Sequence, residues 1–506
     1  MTVAGGGAGR AEDGKDVGMR TNYRTNATVQ FRVLSDDERE EIFSACLSVL
    51  ERTGVKIFCD EAVGVLEKAG AEVGDDRVVR IPNELVKRAL ATAPSHIYVY
   101  DRNGNPAMAL EDGKVHYGPG PTCPNLLDAR TGERRRFVKR DAADTAKLCD
   151  ALPNIDYAMS LGNISDVRAN LADVHEFDAM VRETTKPIMT WSFGLDQLKD
   201  IYEMCAAVAG GEDAFRRRPS AIFYAEPGSP LFHSREAMEK LLFCAERRIP
   251  LVYTPCPLAG ATATATLAGV LVTGLAESLS GLVVSQLVRP GTPFIVGGVV
   301  SIMDMKHGVL AYGAPELSLL SAAYSELARH LGVPVFSTGG CTDAKTVDQQ
   351  AAIEGAISLL MAGLSGANLV HDVGYIESAM TGSHEMLVMS DEILGMVKHI
   401  VRGLRVDEEH LGRDVIDAVG PMGEFLSQEH TAKHFRSEFW MPRLISRHRV
   451  HHWEAEGRPT LGDRVRARAV ELLDTHEAER LPEKVGAELS AIVARAEARE
   501  LGREEG

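Results

Sequence analysis

The chain has 506 residues, 45% of them hydrophobic, and sets 55 Lys and Arg against 72 Asp and Glu for a formal charge of -17. That length buries a large core, either as two or three domains or as one barrel with additions. The acidic balance and the lack of any long Lys/Arg run exclude a nucleic-acid footprint and make an anionic membrane a poor partner.

Residues 1–33 are rich in Gly, charge and polar groups, with no apolar stretch after a basic start, so they predict a flexible tail and no secretory signal. Ser35 with Glu38 makes a capping box that opens a helix stopped by Gly54, and shorter helical patterns follow over 61–68 and 82–92. Hairpin strands turning at Asn103-Gly104 and Asp112-Gly113 come next, so 34–110 is expected to be a helical cap with a hairpin. Eight cysteines without CxxC spacing, in a chain with no export signal, fit the reduced thiols of a cytoplasm.

From residue 111 a pattern repeats: a short apolar run, a loop, then a helical stretch. The runs VHYG, YAMSL, IMTWS, AIFYA, LVYTP, FIVGG, VFST and NLVHD are centred near residues 116, 159, 190, 223, 252, 296, 336 and 370. Each interval has room for one helix and two loops, and helix starts such as Ser234 and Pro315-Glu316 fall where they should. Alternation of this kind implies parallel strands with right-handed crossovers, and eight units make an α/β (β/α)8 TIM barrel over 111–403. A doubly wound open sheet is the alternative, but its GxGxxG fingerprint is missing after the first strand. The most apolar stretch, 251–288, is interrupted by prolines, threonines, Glu277 and Gln286, so no membrane span is expected. Residues 404–506 predict a charged C-terminal helical extension, with two amphipathic helices over 461–502 that suit a surface or dimer contact.

In such a barrel the loops after the strands build the site. Those addresses hold Tyr117, Trp191, Tyr224 with Glu226, Tyr253, Gly297 with Gly298, Gly339 with Gly340, His371 with Asp372, and Tyr375 a little beyond. The set is aromatic and nearly free of cations, which suits a quaternary ammonium: ring faces attract its diffuse charge by roughly 0.5 to 2 kcal/mol each. Thr262 and the helix start expected near residue 263 are candidates for holding a substrate carboxylate. Cys123, Cys256 and Cys341 also fall in loops after strands, which leaves a three-thiolate zinc site as an alternative. Neither a GxSxG elbow nor a GxxxxGK[ST] phosphate loop occurs.

Several motifs in order carry a family likeness: NLLDARTGERR (125–135), TTKPIM (184–189), PCPLAGATATATLAG (255–269), RPGTPFIVGG (289–298), STGGCTDAKTVDQQAAIE (337–354) and FLSQEHTAKHFRSEFWMPRL (425–444). Together they resemble the trimethylamine methyltransferase superfamily over residues 33–450. The resemblance implies a TIM-barrel enzyme that moves a methyl group from an amine to the cobalt of a corrinoid, carried by a cognate corrinoid protein. The methylamine members of that superfamily use pyrrolysine; this sequence has only standard residues and is similar to the branch acting on quaternary amines such as glycine betaine. The expectation is a cage of Tyr117, Trp191, Tyr224 and Tyr253 with Glu226 or His371. Thr262, Gly297, Gly298, Gly339 and Gly340 would serve the acid end of the substrate or close approach of the corrin. No tightly bound metal is expected, and a homo-oligomer is. The rival readings are a zinc-thiolate methyltransferase using the three cysteines and a non-catalytic betaine-binding barrel.

Overall fold

Hydrogen bonding joins the eight apolar runs into a ring in the computed structural model of the chain, which describes residues 31–504. Seven of them form one parallel sheet, in the order His116–Tyr117, Leu369–His371, Val335–Thr338, Phe294–Gly297, Leu251–Tyr253, Ala221–Ala225, Ile188–Thr190. Residues 156–160 fill the gap between its two edges. The Ala158 amide donates to the Pro187 carbonyl at 2.9 Å and its carbonyl accepts from the Met189 amide at 2.9 Å. On the other side the Asp156 amide donates to the Tyr117 carbonyl at 2.7 Å. Both sheet edges are thereby satisfied, which removes the exposed ladder of an open sheet. The helices Lys139–Ala151, Ala172–Glu183, Leu195–Ala209, Arg235–Arg247, Leu267–Val288, Pro315–His330, Gln349–Ser365 and His384–Val401 follow the eight runs in turn. The architecture is the expected (β/α)8 barrel.

Side chains alternate along each strand between the barrel interior and the helices. Tyr157, Met159, Met189, Ile222, Tyr224, Val252, Ile295, Phe336 and Leu369 form the interior cluster. Their neighbours Phe223, Leu251, Tyr253, Phe294, Val296, Val335 and Val370 belong to the cluster shared with the helices. The hairpin Ile97–Tyr100 and Pro106–Leu110 contributes Ile97, Val99, Met108 and Leu110 to the interior cluster. It does so at the strands' N-terminal ends, where the Tyr100 amide donates to the Pro219 carbonyl at 2.9 Å. This hairpin is the stopper of the barrel, so access is from the C-terminal end.

The N-terminal cap is stitched to the barrel by a parallel pair between Val55–Ile57 and Phe232–His233, in the loop after Ala221–Ala225. Cap helices Asp36–Ser48 and Asn83–Thr92 pack on helix Leu267–Val288. That helix is long and apolar enough to cross a membrane by length and composition, with a mean hydropathy of 1.8, yet 72% of its apolar window is buried inside the protein. Its sequence is apolar all round because barrel and cap enclose it. The expected N-terminal tail lies outside the described residues up to residue 30; at Val33 and Leu34 the backbone amides already bind the Glu326 carboxylate, at 2.6 and 3.2 Å. At the other end, helix Leu461–Thr475 packs on both Lys139–Ala151 and His384–Val401, the first and last barrel helices.

Lys186, in the TTKPIM motif, is a buried structural cap. Its ammonium donates to the carbonyls of Cys149, Leu152 and Ile155 at 2.5, 2.7 and 2.6 Å, satisfying the end of helix Lys139–Ala151 and the entry to residues 156–160. All three ammonium donors are used. Lys186→Met removes a donor from three carbonyls, of which Leu152 keeps the Ile155 amide at 3.4 Å, and a loss of about 3 kcal/mol in unfolding free energy is expected by denaturant titration.

Candidate active site

Strand alternation turns Trp191 and Tyr224 inward, and Glu226 follows two residues beyond Tyr224 on the same face. With Phe193, Thr122 and Lys240 they border a cavity of about 290 Å³ at the barrel mouth. The Trp191 ring is held on two sides. Its Nε1–H donates to Glu176 Oε2 at 2.8 Å, and Phe193 meets it edge-on at 4.5 Å between centroids. Glu176 is fixed in turn by the Ile164 amide on its other oxygen, at 3.0 Å. The Tyr224 hydroxyl donates to Glu226 Oε1 at 2.6 Å. Glu226 is ringed by protein but open to the cavity; burial raises its pKa, and the Tyr224 hydroxyl and the Lys240 charge draw it back down.

Deeper in the mouth, His371 and Asp372 form a buried pair. His371 Nδ1–H donates to the Ser337 carbonyl at 2.9 Å, and its Nε2 lies 3.2 Å from Asp372 Oδ1. Burial pushes the imidazole down to about 3 and the Asp372 carboxyl well up from the usual carboxylate range. Burial thus opposes charge on both members of the pair. Asp372 Oδ2 is buried without a hydrogen-bond partner. The residue adopts φ 70°, in the left-handed region, where an Asp is tolerated but uncommon. Tyr312 and Tyr375 stand beside it with rings 6.3 Å apart, and their hydroxyls lower its pKa while Glu226 raises it through space. A loop after the first strand lies over this group: the Thr122 amide donates to Tyr375 Oη at 2.6 Å, and a Cβ on Gly120 would run into the Asp372 carboxylate.

Of the expected set, Trp191, Tyr224 and Glu226 line the cavity, while His371 and Tyr375 are buried off its lining. Tyr117 and Tyr253 have the opposite strand parity and face the helices. Tyr253 Oη bonds His233 Nδ1 at 2.7 Å with its ring against Gly281, and Tyr117 has the Lys398 ammonium 5.7 Å from its ring centre. Thr262 accepts from the Leu258 amide at 2.9 Å, closing a turn, and the following helix begins at Leu267 instead of near residue 263. The space beside the glycines is occupied by protein. Thr254 fills it at Gly297, the Tyr324 ring at Gly298, and Val370 and Ser358 at Gly339. Gly340 needs its φ of 76° to give its amide to Ser358 Oγ at 2.9 Å. These glycines permit tight internal contacts in place of the room for corrin that the sequence reading gave them.

Cys123, Cys256 and Cys341 share one apolar cluster, and burial pushes all three thiols up. Among the described residues no group of three or more His, Cys, Asp or Glu is placed to hold a metal ion. Three groups escaped the sequence reading: Glu176, Lys240 and Tyr312. Asp372 was visible as a strand-end acid. Tyr312 is brought in from a loop by Asp343, whose two oxygens accept the Tyr312 and Gly313 amides at 2.9 Å each.

The family model described as trimethylamine methyltransferase (MTTB) matches residues 4–501. The chain belongs to that family. It is 34% identical over 467 residues to the trimethylamine methyltransferase MttB of Desulfitobacterium hafniense, covering 92% of this chain and 93% of that one. It is 31% identical over 477 residues to a glycine betaine methyltransferase of the same species, covering 94% and 99%. A solved monomethylamine methyltransferase of Methanosarcina barkeri aligns at 10% identity and a TM-score of 0.48 over 87% of this chain and 88% of its own. The protein is an enzyme of the methyltransferase class, and the mouth described above is its candidate active site.

Glu176 gives this methyltransferase a testable pH signature. Burial pushes its carboxyl from 4.5 up to about 8. The folded state therefore holds a proton that the unfolded chain releases, and this contribution to stability is full below pH 4.5 and is lost as pH rises toward about 8. Glu176→Gln should flatten the fall in melting temperature between pH 5 and pH 8, about the window that the shift defines.

Proposed function

We propose that this methyltransferase removes a methyl group from a quaternary ammonium of the betaine type and passes it to the Co(I) corrinoid of a partner protein. The observation that carries this reading is the wall of Trp191, Phe193 and Tyr224 facing Glu226 across one cavity. A quaternary ammonium donates no hydrogen bond, so ring faces and nearby carboxylates are the groups that recognise it. The corrinoid, once docked, supplies the nucleophile that accepts the methyl group.

The residues of this chain position the donor and keep water away. As the carbon–nitrogen bond breaks, its electron pair stays on nitrogen and a neutral tertiary amine leaves, so no proton is needed. The stopper hairpin leaves the C-terminal face for the partner, and the rim there exposes Phe193, Met305 and Met380. We place the reaction in the cytoplasm. Exposed apolar side chains such as Leu404, Leu426 and Phe439 in the C-terminal extension support a homo-oligomer.

Incubation with a Co(I) corrinoid and glycine betaine should change the corrinoid's absorbance as the methyl group transfers. Trp191→Ala should cut kcat/KM about tenfold to thirtyfold, the scale of one desolvated cation–π contact. No transfer from any quaternary amine would overturn the proposal.

A further inference from the structure

The cavity bordered by Trp191 and Tyr224 has one cationic side chain in its wall, Lys240, from helix Arg235–Arg247. Lys240 is 8% exposed, and its Nζ donates to the Ser192 carbonyl at 2.8 Å. Among the described residues no carboxylate comes within 4.0 Å of it; Glu226, Asp173 and Glu236 act on it only at longer range. An ammonium has three donors, so two are left without a protein partner. Ser192 itself lines the same cavity, is 3% exposed, and its hydroxyl is buried with no hydrogen-bond partner. The Lys240 ammonium thus borders a cavity with two donors unspent, while the Ser192 hydroxyl is closed off from solvent. Leaving such groups unmet is costly in a folded protein, and a ligand that meets them recovers that cost on binding.

We infer that Lys240 forms the anion subsite of the active site and selects a quaternary ammonium that carries a carboxylate. This deepens the reading given above and rests on it. The remaining charges of the cavity wall, Glu226 and Glu236, repel a carboxylate, so the substrate enters in one orientation: the methyl groups toward Trp191 and Tyr224, the carboxylate toward Lys240. Choline, which has the same trimethylammonium head and a hydroxyl in place of the carboxylate, leaves the ammonium unpaired.

Calorimetric titration with glycine betaine and with choline tests this on the intact protein, with no corrinoid required. The wild type is expected to favour glycine betaine over choline by about tenfold or more, the scale of a charge-assisted hydrogen bond. Lys240→Met should reduce that ratio about tenfold, in protein whose melting curve shows it folded. Lys240→Arg keeps the charge and should hold most of the preference. Equal affinity of the wild type for the two compounds, or an unchanged ratio in Lys240→Met, overturns the subsite. Binding of neither compound overturns instead the quaternary-amine reading beneath it.

Discussion

Every second side chain of a barrel strand faces inward, and a ring of eight strands stays in phase only if all eight hold their register. Here the weakest segment, residues 156–160, keeps that phase with single hydrogen bonds to Tyr117 on one side and to Pro187 and Met189 on the other. The identity of the active site follows from this. A shift of one residue at any strand would exchange Tyr224 for Phe223, or Trp191 for its neighbours, and hand the mouth to the residues that now pack on the helices. Lys186 guards the point where that phase is set, and its motif is as much a structural signature as a functional one.

The mouth is acidic in composition but poor in fixed charge. Glu176 is shifted to about 8 and Asp173 to about 7, and Asp372 and Glu226 are raised too, because burial outweighs the donors around them. A protein interior of this kind cannot hold four carboxylates at once. An arriving cation favours ionisation of the carboxyl nearest it. His371 has no part in this as a cation, since its neutral ring is locked by the Ser337 carbonyl.

The fold was legible because its signal is periodic. Eight apolar runs separated by helical stretches admit few architectures, and their centres coincide with the strands and with residues 156–160. The site was legible where one strand position decides a side chain's direction, as at Trp191 and Tyr224. Tyr117 and Tyr253 show the limit. Each is an aromatic residue at a strand end, and only counting inward from a fixed neighbour reveals that both point at helices. Loops are harder still: nothing in the sequence around Tyr312 announces that Asp343, some thirty residues on, draws it to the mouth, or that the Gly339-Gly340 pair is filled from behind by Ser358 and Val370.

Among the described residues, Ile97, Val99, Met108 and Leu110 close one end of the barrel and leave the other as its door. For the proposed reaction, amine and methyl acceptor must share it, and the traffic is then compulsory: the methylated amine goes in first, the acceptor closes over it, and the demethylated amine waits until the acceptor has left. A random order of addition would require a second opening that this hairpin denies.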